Sequence, residues 1–452
     1  MPEQNDTARK LSTQRVLVVT DNRFWRNEIG SNARILTLTR YLQTRGCKVQ
    51  VAFMGRVYWN ELPLIANSDI EVRPALGLVP DPSLQESKAS EPHAWERLRN
   101  KVKRCLRIVR AAFTQHQRQS PAKLGMAWWR EVLLRAGERR VNDGFDARLV
   151  ALVNELMAAQ QTTVLLVEYV HLAWIVEHVD TTRGPLRLRV IDTHDVQHER
   201  QLRFHAANEI HHLDINEDEE SRWLSAFDVI VAIQPRDAER FRRMVPNRRV
   251  ITLGHPQSVR KLTRRGSSQA VVGFVGSNMT PNRLAATELV ESIWPMVRRL
   301  VHARVELLIV GGVCDSMRGQ ALDPSVQLRG VVENLDSAYA EMDVVVNPVR
   351  IGGGLKIKSV DALCRGLPLV TTRVGAEGLE DGIQTAFLIA DDPAEFARFV
   401  ATMLNDAVAR REQGQRAYEY AATRFDPGNA FKPLDQLLAQ LSSVHPTTEF
   451  AP

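Results

Sequence analysis

The sequence predicts an α/β protein of two doubly wound, Rossmann-like domains that face each other across a cleft. Short apolar, β-branched runs alternate with segments of helical period along most of the chain, as parallel strands joined by crossover helices do. The runs are apolar throughout rather than at every second residue, so helices must cover both faces of each sheet. A polar stretch, 257–269, with Arg260, Lys261, Arg264, Arg265 and Gly266, divides the series in two. The length of 452 residues, 44% hydrophobic and 25% charged, suits a molecule of this size.

Taken in order, Arg15–Thr20 is the first strand, and Ile29 to Arg45 sets Ile35, Leu38 and Leu42 on one helical face before Gly46. Lys48–Phe53 is the next strand. The alternation resumes at Thr163–Glu168, Leu188–Asp192, Phe227–Ile233 and Arg249–Leu253, giving a first domain over 15–255. The second opens at Ala270–Val275 and continues through Arg304–Val310, Val326–Arg329, Asp343–Asn347, Leu367–Thr372 and Phe387–Ile389, over 270–425. Open α/β sheets bind ligands outside the carboxyl ends of their strands, so two such domains in tandem imply a cleft there.

The stretch 90–140 interrupts the first domain. From Trp95 to Arg140 it holds thirteen Lys and Arg against three Glu, while the whole chain is only +6, so the basicity belongs to this segment. Val102, Leu106, Val109 and Phe113 fall at helical spacing among Lys101, Lys103, Arg104, Arg107 and Arg110. Such a helix either docks on an anionic membrane surface through 95–140 or packs as a solvated flap. No nucleic-acid partner is expected, because no reading module accompanies the charge. No apolar run approaches the ~18 residues of a membrane span, and the first residues lack the apolar core of a signal peptide. Cys47, Cys105, Cys314 and Cys364 are too scattered for a zinc ribbon or a disulfide framework. The expected location is cytoplasmic, with peripheral contact to the inner face of the membrane.

After Thr20 the chain reads Asp21-Asn-Arg-Phe-Trp25 where a dinucleotide fold would carry G-x-G-x-x-G, and no P-loop motif occurs. The informative segment is Asn347 to Thr372. Its strand ends at Pro348, and Gly352, Gly353 and Gly354 then let backbone N–H groups approach an anion. A helix follows with its positive end at the same point. Of the two lysines, Lys356 and Lys358, the second is better placed to reach a phosphate. Asp361, one turn on, can accept hydrogen bonds from a ribose diol. A glycine-rich turn with solvated lysines is the plain alternative. In the first domain, Asp192, His194 and Asp195 sit at a strand's carboxyl end and His171 follows another strand; they are candidates for the cleft or merely structural groups.

The ordered motifs Gly273-Phe-Val-Gly-Ser277 with Pro281-Asn282, Ile293-Trp-Pro295, Leu308-Ile-Val-Gly311, Gly330-Val-Val-Glu-Asn-Leu335, Asn347-Pro348, Gly366-Leu-Pro-Leu-Val370 and Gly375-Ala-Glu-Gly-Leu379 span about 270–425. They resemble the nucleotide-binding domain of GT-B glycosyltransferases, specifically the retaining family 4, or glycosyl transferases group 1. The resemblance implies a nucleotide-diphosphate sugar donor. Gly276, Ser277 and Asn282 would lie by its phosphate or sugar and the backbone at Val332 by its base. The amides of Gly352, Gly353, Gly354 and Leu355, with Lys358, would hold the pyrophosphate, and Asp361 the ribose.

It also implies retention of configuration, no metal, no other cofactor, and a leaving phosphate that takes the acceptor proton. The first acid of the family's Glu-x7-Glu pair is Gly353 here, which leaves sugar contacts to glycine amides. Gly30-Ser-Asn-Ala-Arg34 and Val190–Val196, followed by Arg200, more loosely match acceptor-domain motifs. Gly30, Arg34, His171 and Asp192 are thus expected toward the acceptor, and His194, Asp195 and Lys358 at the reaction. The helix within 426–442 is expected to cross back to the first domain. The implied activity is sugar transfer to a glycan or lipid-linked acceptor in bacterial surface or exopolysaccharide assembly. A nucleotide-sugar epimerase or hydrolase of the same build, or a silent nucleotide- or glycan-binding subunit, are the alternatives.

Overall fold

Val16 and Val18 are buried on one face of the first strand and Leu17 and Val19 on the other, as a fully covered parallel sheet requires. The computed structural model describes residues 14–26, 30–80, 138–182, 184–263 and 269–443. All but the last three residues of the basic stretch 95–140 lie outside these, and with them its expected membrane contact.

The first sheet comprises β1 (Arg15–Thr20), β2 (Lys48–Phe53), β3 (Glu71–Pro74), β4 (Val164–Glu168), β5 (Leu188–Asp192), β6 (Val229–Ala232) and β7 (Arg249–Thr252). Its order is β3-β2-β1-β4-β5-β6-β7, all parallel. The second comprises β8 (Ala270–Val275), β9 (Val305–Val310), β10 (Val326–Gly330), β11 (Val344–Asn347), β12 (Leu369–Thr371) and β13 (Leu388–Ile389), in the order β10-β9-β8-β11-β12-β13 and again parallel. Each sheet starts in its middle, runs outward, and returns to the other side of its first strand. The reversals fall between β1 and β4 and between β8 and β11, where crevices open at the strands' carboxyl ends.

Strand β3 was not foreseen. Glu71-Val-Arg-Pro74 is a half-exposed edge strand that ends in proline, with no apolar run to mark it.

Leu17 and Val19 pack with Leu149, Val153 and Leu156 of the helix Ala147–Gln160 and with Trp174. Val16 and Val18 pack with Ile35, Leu38 and Leu42 of the helix Gly30–Thr44. The same cluster contains Phe431, Leu434, Leu437, Leu438 and Leu441, so the helix Lys432–Ser443 at the far end of the chain packs in the core of the first domain. Tyr41 donates to Asp435 at 2.8 Å and Arg187 to the Leu441 carbonyl at 3.0 Å. No helix among the described residues is long and apolar enough to cross a membrane.

Candidate functional site

Two helices from different domains begin at the same place. The helix Gly30–Thr44 starts beyond β1, and the helix Ile357–Cys364 starts beyond the glycine-rich loop after β11. A Cβ on Gly30 would lie 2.6 Å from Cγ1 of Ile357, so the two helix starts touch. Each helix N-terminus carries about half a positive charge and N–H groups with no partner inside the helix, and here the two start side by side. Such an arrangement can hold an anion.

Lys358 adds to it. Its ammonium donates to Asn282 Oδ1 and lies 4.9 Å over the Phe274 ring. Burial first, and then neighbouring Lys356, push its pKa down to about 7. Asn282 in turn donates to the Ser277 carbonyl at 3.0 Å and lies 3.1 Å from its hydroxyl. Gly276, Ser277, Asn282 and Lys358 therefore form one line along the carboxyl end of β8. The two lysines differ in availability. Lys356 donates to the carbonyls of Gly353 at 2.9 Å and Gly354 at 2.8 Å and pairs with Glu377 at 3.2 Å, so its charge serves to hold the loop.

The first domain grips the same loop. Asp195 Oδ1 lies 3.5 Å from where a Cβ on Gly353 would be, and a Cβ on Gly354 would overlap it. Gly354 has φ +65°, a second reason for glycine. Arg200 donates to Asp195 at 2.8 Å, and Arg203 donates to the Gly352 carbonyl at 2.8 Å and to Glu377 at 2.5 Å. Leu355 is buried beneath. Asp361, expected to hold ribose, accepts at Oδ1 from Gln257 at 2.5 Å and Arg365 at 2.8 Å. Val332 is half-buried just beyond the end of β10, beside Val331, which is 70% exposed.

On the first-domain side, His194 Nε2 lies 2.7 Å from Glu168 Oε2. Glu168 is fully buried, and that burial, with Asp192 beside it, raises its pKa. His194 (φ +60°) and Tyr169 (φ +68°) both have left-handed backbone, and their rings stack 3.8 Å apart within 6° of parallel. Such residues cost on the order of 1–3 kcal/mol each and collect at functional sites. His171 meets Asp21 at 2.9 Å.

Arg34 and Asp192 do not face an acceptor. They form a bidentate pair at 2.8 and 3.0 Å, at 2% and 0% exposure, and Arg34 also donates to the carbonyls of Leu253 and Gly254. They lie beneath the cleft and tie the first helix to the ends of β5 and β7. Glu168, Asp192 and His194 offer ligand atoms within 4.8 Å of one another, but both Asp192 oxygens already face the Arg34 guanidinium, which takes the position of a cation.

Sequence reasoning passed over Glu168, Tyr169, Arg203 and Asp21. An acid closing the apolar run Val164–Val167 was a usable signal for Glu168. Arg203 gave none, since only the packing of two domains brings its helix onto the loop.

Residues 269–406 match the model of the family described as glycosyl transferases group 1. TarM, solved from S. aureus, superimposes with a TM-score of 0.64 at 9% identity, covering 94% of this chain and 99% of that one. The sucrose-phosphate synthase of Thermosynechococcus elongatus gives 0.62 at 14%, covering 95% and 99%. Anabaena HepE, solved with UDP and glucose, gives 0.60 at 12%, covering 95% and 99%. At such identities these likenesses show the fold, which is GT-B. An uncharacterized 44.6 kDa protein in the cps region of Klebsiella pneumoniae is 22% identical over 219 residues, 46% of this chain and 55% of that protein. The chain thus spans about half the length of the curated relative it matches.

Proposed function

We propose that this chain is a glycosyltransferase that moves a sugar from a nucleotide-diphosphate donor to a glycan or lipid-linked acceptor, with retention, in bacterial surface polysaccharide assembly. The observation that carries the reading is the meeting of two helix N-termini, Gly30 and Ile357, beside Lys358 and the glycine loop. Charge develops on the departing diphosphate during transfer, so fixed amides, two dipole ends and an ammonium stabilise the transition state more than the ground state. The match to glycosyl transferases group 1 supports the activity, the UDP and glucose of HepE support the donor class, and the cps-region relative supports the cellular role.

Glu168 fixes the ring of His194 through Nε2, which leaves Nδ1 to meet a substrate. Asp195, held against the glycine loop and oriented by Arg200, is the carboxylate this reading assigns to the acceptor hydroxyl. With retention, the leaving phosphate itself takes the acceptor proton.

A thermal-shift series with UDP, GDP, ADP and CMP, each with and without Mg²⁺, tests the reading. A ligand at 100 times its Kd adds about 2.7 kcal/mol of stability, enough to read as a shift. One nucleoside diphosphate is expected to raise the melting temperature without metal. If none does, the reading fails.

A further inference from the structure

The polar stretch that separates the two strand series begins at Gln257, and its first residues are fastened to the second domain. The Gln257 N–H donates to the Phe425 carbonyl at 3.0 Å, the Arg260 N–H to the Cys364 carbonyl at 2.9 Å, and the Leu262 N–H to the Arg365 carbonyl at 3.1 Å. The linker thus runs past the end of the helix Ile357–Cys364, the helix that carries Lys358 and Asp361.

The Gln257 side chain is engaged at both ends. Its Nε2 donates to Asp361 Oδ1 at 2.5 Å, and its Oε1 accepts from the Ser258 N–H at 3.3 Å, so the amide cannot turn over without losing both bonds. Arg365, one helical turn beyond Asp361, donates to the same Oδ1 at 2.8 Å and to the Asp361 carbonyl at 2.9 Å. Its guanidinium is fixed in turn by Asp336 at 2.8 Å and by the Tyr339 ring, 4.5 Å away. Asp361 is 8% exposed. Among the described residues, both donors to this carboxylate use Oδ1 and none uses Oδ2.

That asymmetry has a chemical consequence. A carboxylate can accept at either oxygen and turns readily about its last side-chain bond. Arginine favours a bidentate grip that takes both oxygens. With Gln257 and Arg365 together on Oδ1, the plane of the carboxylate is set and Oδ2 is kept from the guanidinium. With Gln257 gone, Arg365 can take both oxygens, and the acid is spent on the protein.

We infer that Gln257 is a positioning residue for the nucleotide: the linker amide holds Asp361 so that Oδ2 stays available to the ribose hydroxyls, an assignment that rests on the nucleotide-diphosphate reading of this site. Titration calorimetry on the full chain tests it, with UDP, GDP and ADP as probes, each beside its 2′-deoxy and 3′-deoxy forms. For the base that binds, the ribose form is expected to bind about tenfold more tightly than at least one deoxy form, the difference expected for a hydrogen bond to a charged group. In Gln257→Leu, similar in size but without a donor, and in Gln257→Asn, whose amide is one methylene shorter, that ratio should fall to within about twofold of unity, with the deoxy form bound as in the parent. Thermal scanning of the same samples shows which variant is folded, and either one suffices. A ribose preference that survives in a folded variant, an equal loss for ribose and deoxy forms, or a parent protein that binds both alike overturns the assignment. Failure of every nucleoside diphosphate to bind the parent protein would instead remove the transferase reading beneath it.

Discussion

Lys358 combines a hydrogen bond to an amide oxygen with a pKa near neutrality. Its ammonium sits among Asn282, Phe274 and Lys356, none of which compensates a buried charge as a carboxylate would. An incoming diphosphate supplies that compensation. Lys358→Ala should therefore weaken nucleotide-diphosphate binding by about 1.5–3 kcal/mol, read by titration calorimetry. The pH dependence has a definite sign. Below a pKa of about 7 the lysine is already charged, and above it binding must take up a proton, so affinity should fall as pH rises from 6 to 9. Calorimetry at pH 8 in buffers of different ionisation enthalpy should register that uptake in the parent protein and not in Lys358→Ala. Arg34 stands at the other extreme. Its pairing with Asp192 is complete and dry, so Arg34→Ala leaves a buried carboxylate alone and should cost about 3–5 kcal/mol in urea unfolding.

At the scale of elements, the glycine loop is held from both sides. Lys356 and Glu377 fix it from within the second domain, and Asp195 and Arg203 press on it from the first. A methyl group on Gly354 would need the space of Asp195 and a backbone angle that L side chains rarely adopt. Gly354→Ala should accordingly pry the loop from the first domain. Donor affinity should drop while the melting temperature of the second domain moves little, two readings that calorimetry and thermal scanning separate. The glycine loop and the helix start after it were legible in the sequence because local chemistry sets them: glycine admits the backbone angles the turn needs, and a helical period follows. The division of labour between the lysines was legible only as a preference. Asp192 and Arg34 were misjudged because a strand-end acid looks the same whether it faces the cleft or lies beneath it; the difference is made by a helix from elsewhere in the chain. The edge strand β3 escaped for a different reason, since half-exposed strands lack the apolar run that marks the central ones.

Across the whole molecule, the strand order repeats: both sheets run outward from their first strand and return to its other side. This follows from the alternation of apolar runs and helices, which is why the two-domain architecture could be read from one sequence. The contact that binds first domain to chain end could not be read from spacing, because nothing local tells a helix which sheet it will cover. Leu438 is 1% exposed in the cluster that contains Val16 and Val18. Leu438→Ala should cost about 2–5 kcal/mol. Hydrogen exchange should place that loss at Arg15–Thr20, more than four hundred residues earlier in the chain, rather than in the second domain that precedes the helix.

The same helix bears on how the protein is made. Once β7 has been synthesised, every strand of the first sheet exists, but the side chains of Phe431 to Leu441 that complete its core do not. At about 5–20 residues per second, the roughly 180 residues in between take on the order of 10–35 s to emerge. For that interval the nascent first domain carries an apolar face with no cover, and the ribosome-bound chain is a substrate for whatever chaperone shields such faces. A gene shortened by its last turns of helix would leave every one of its molecules in that state.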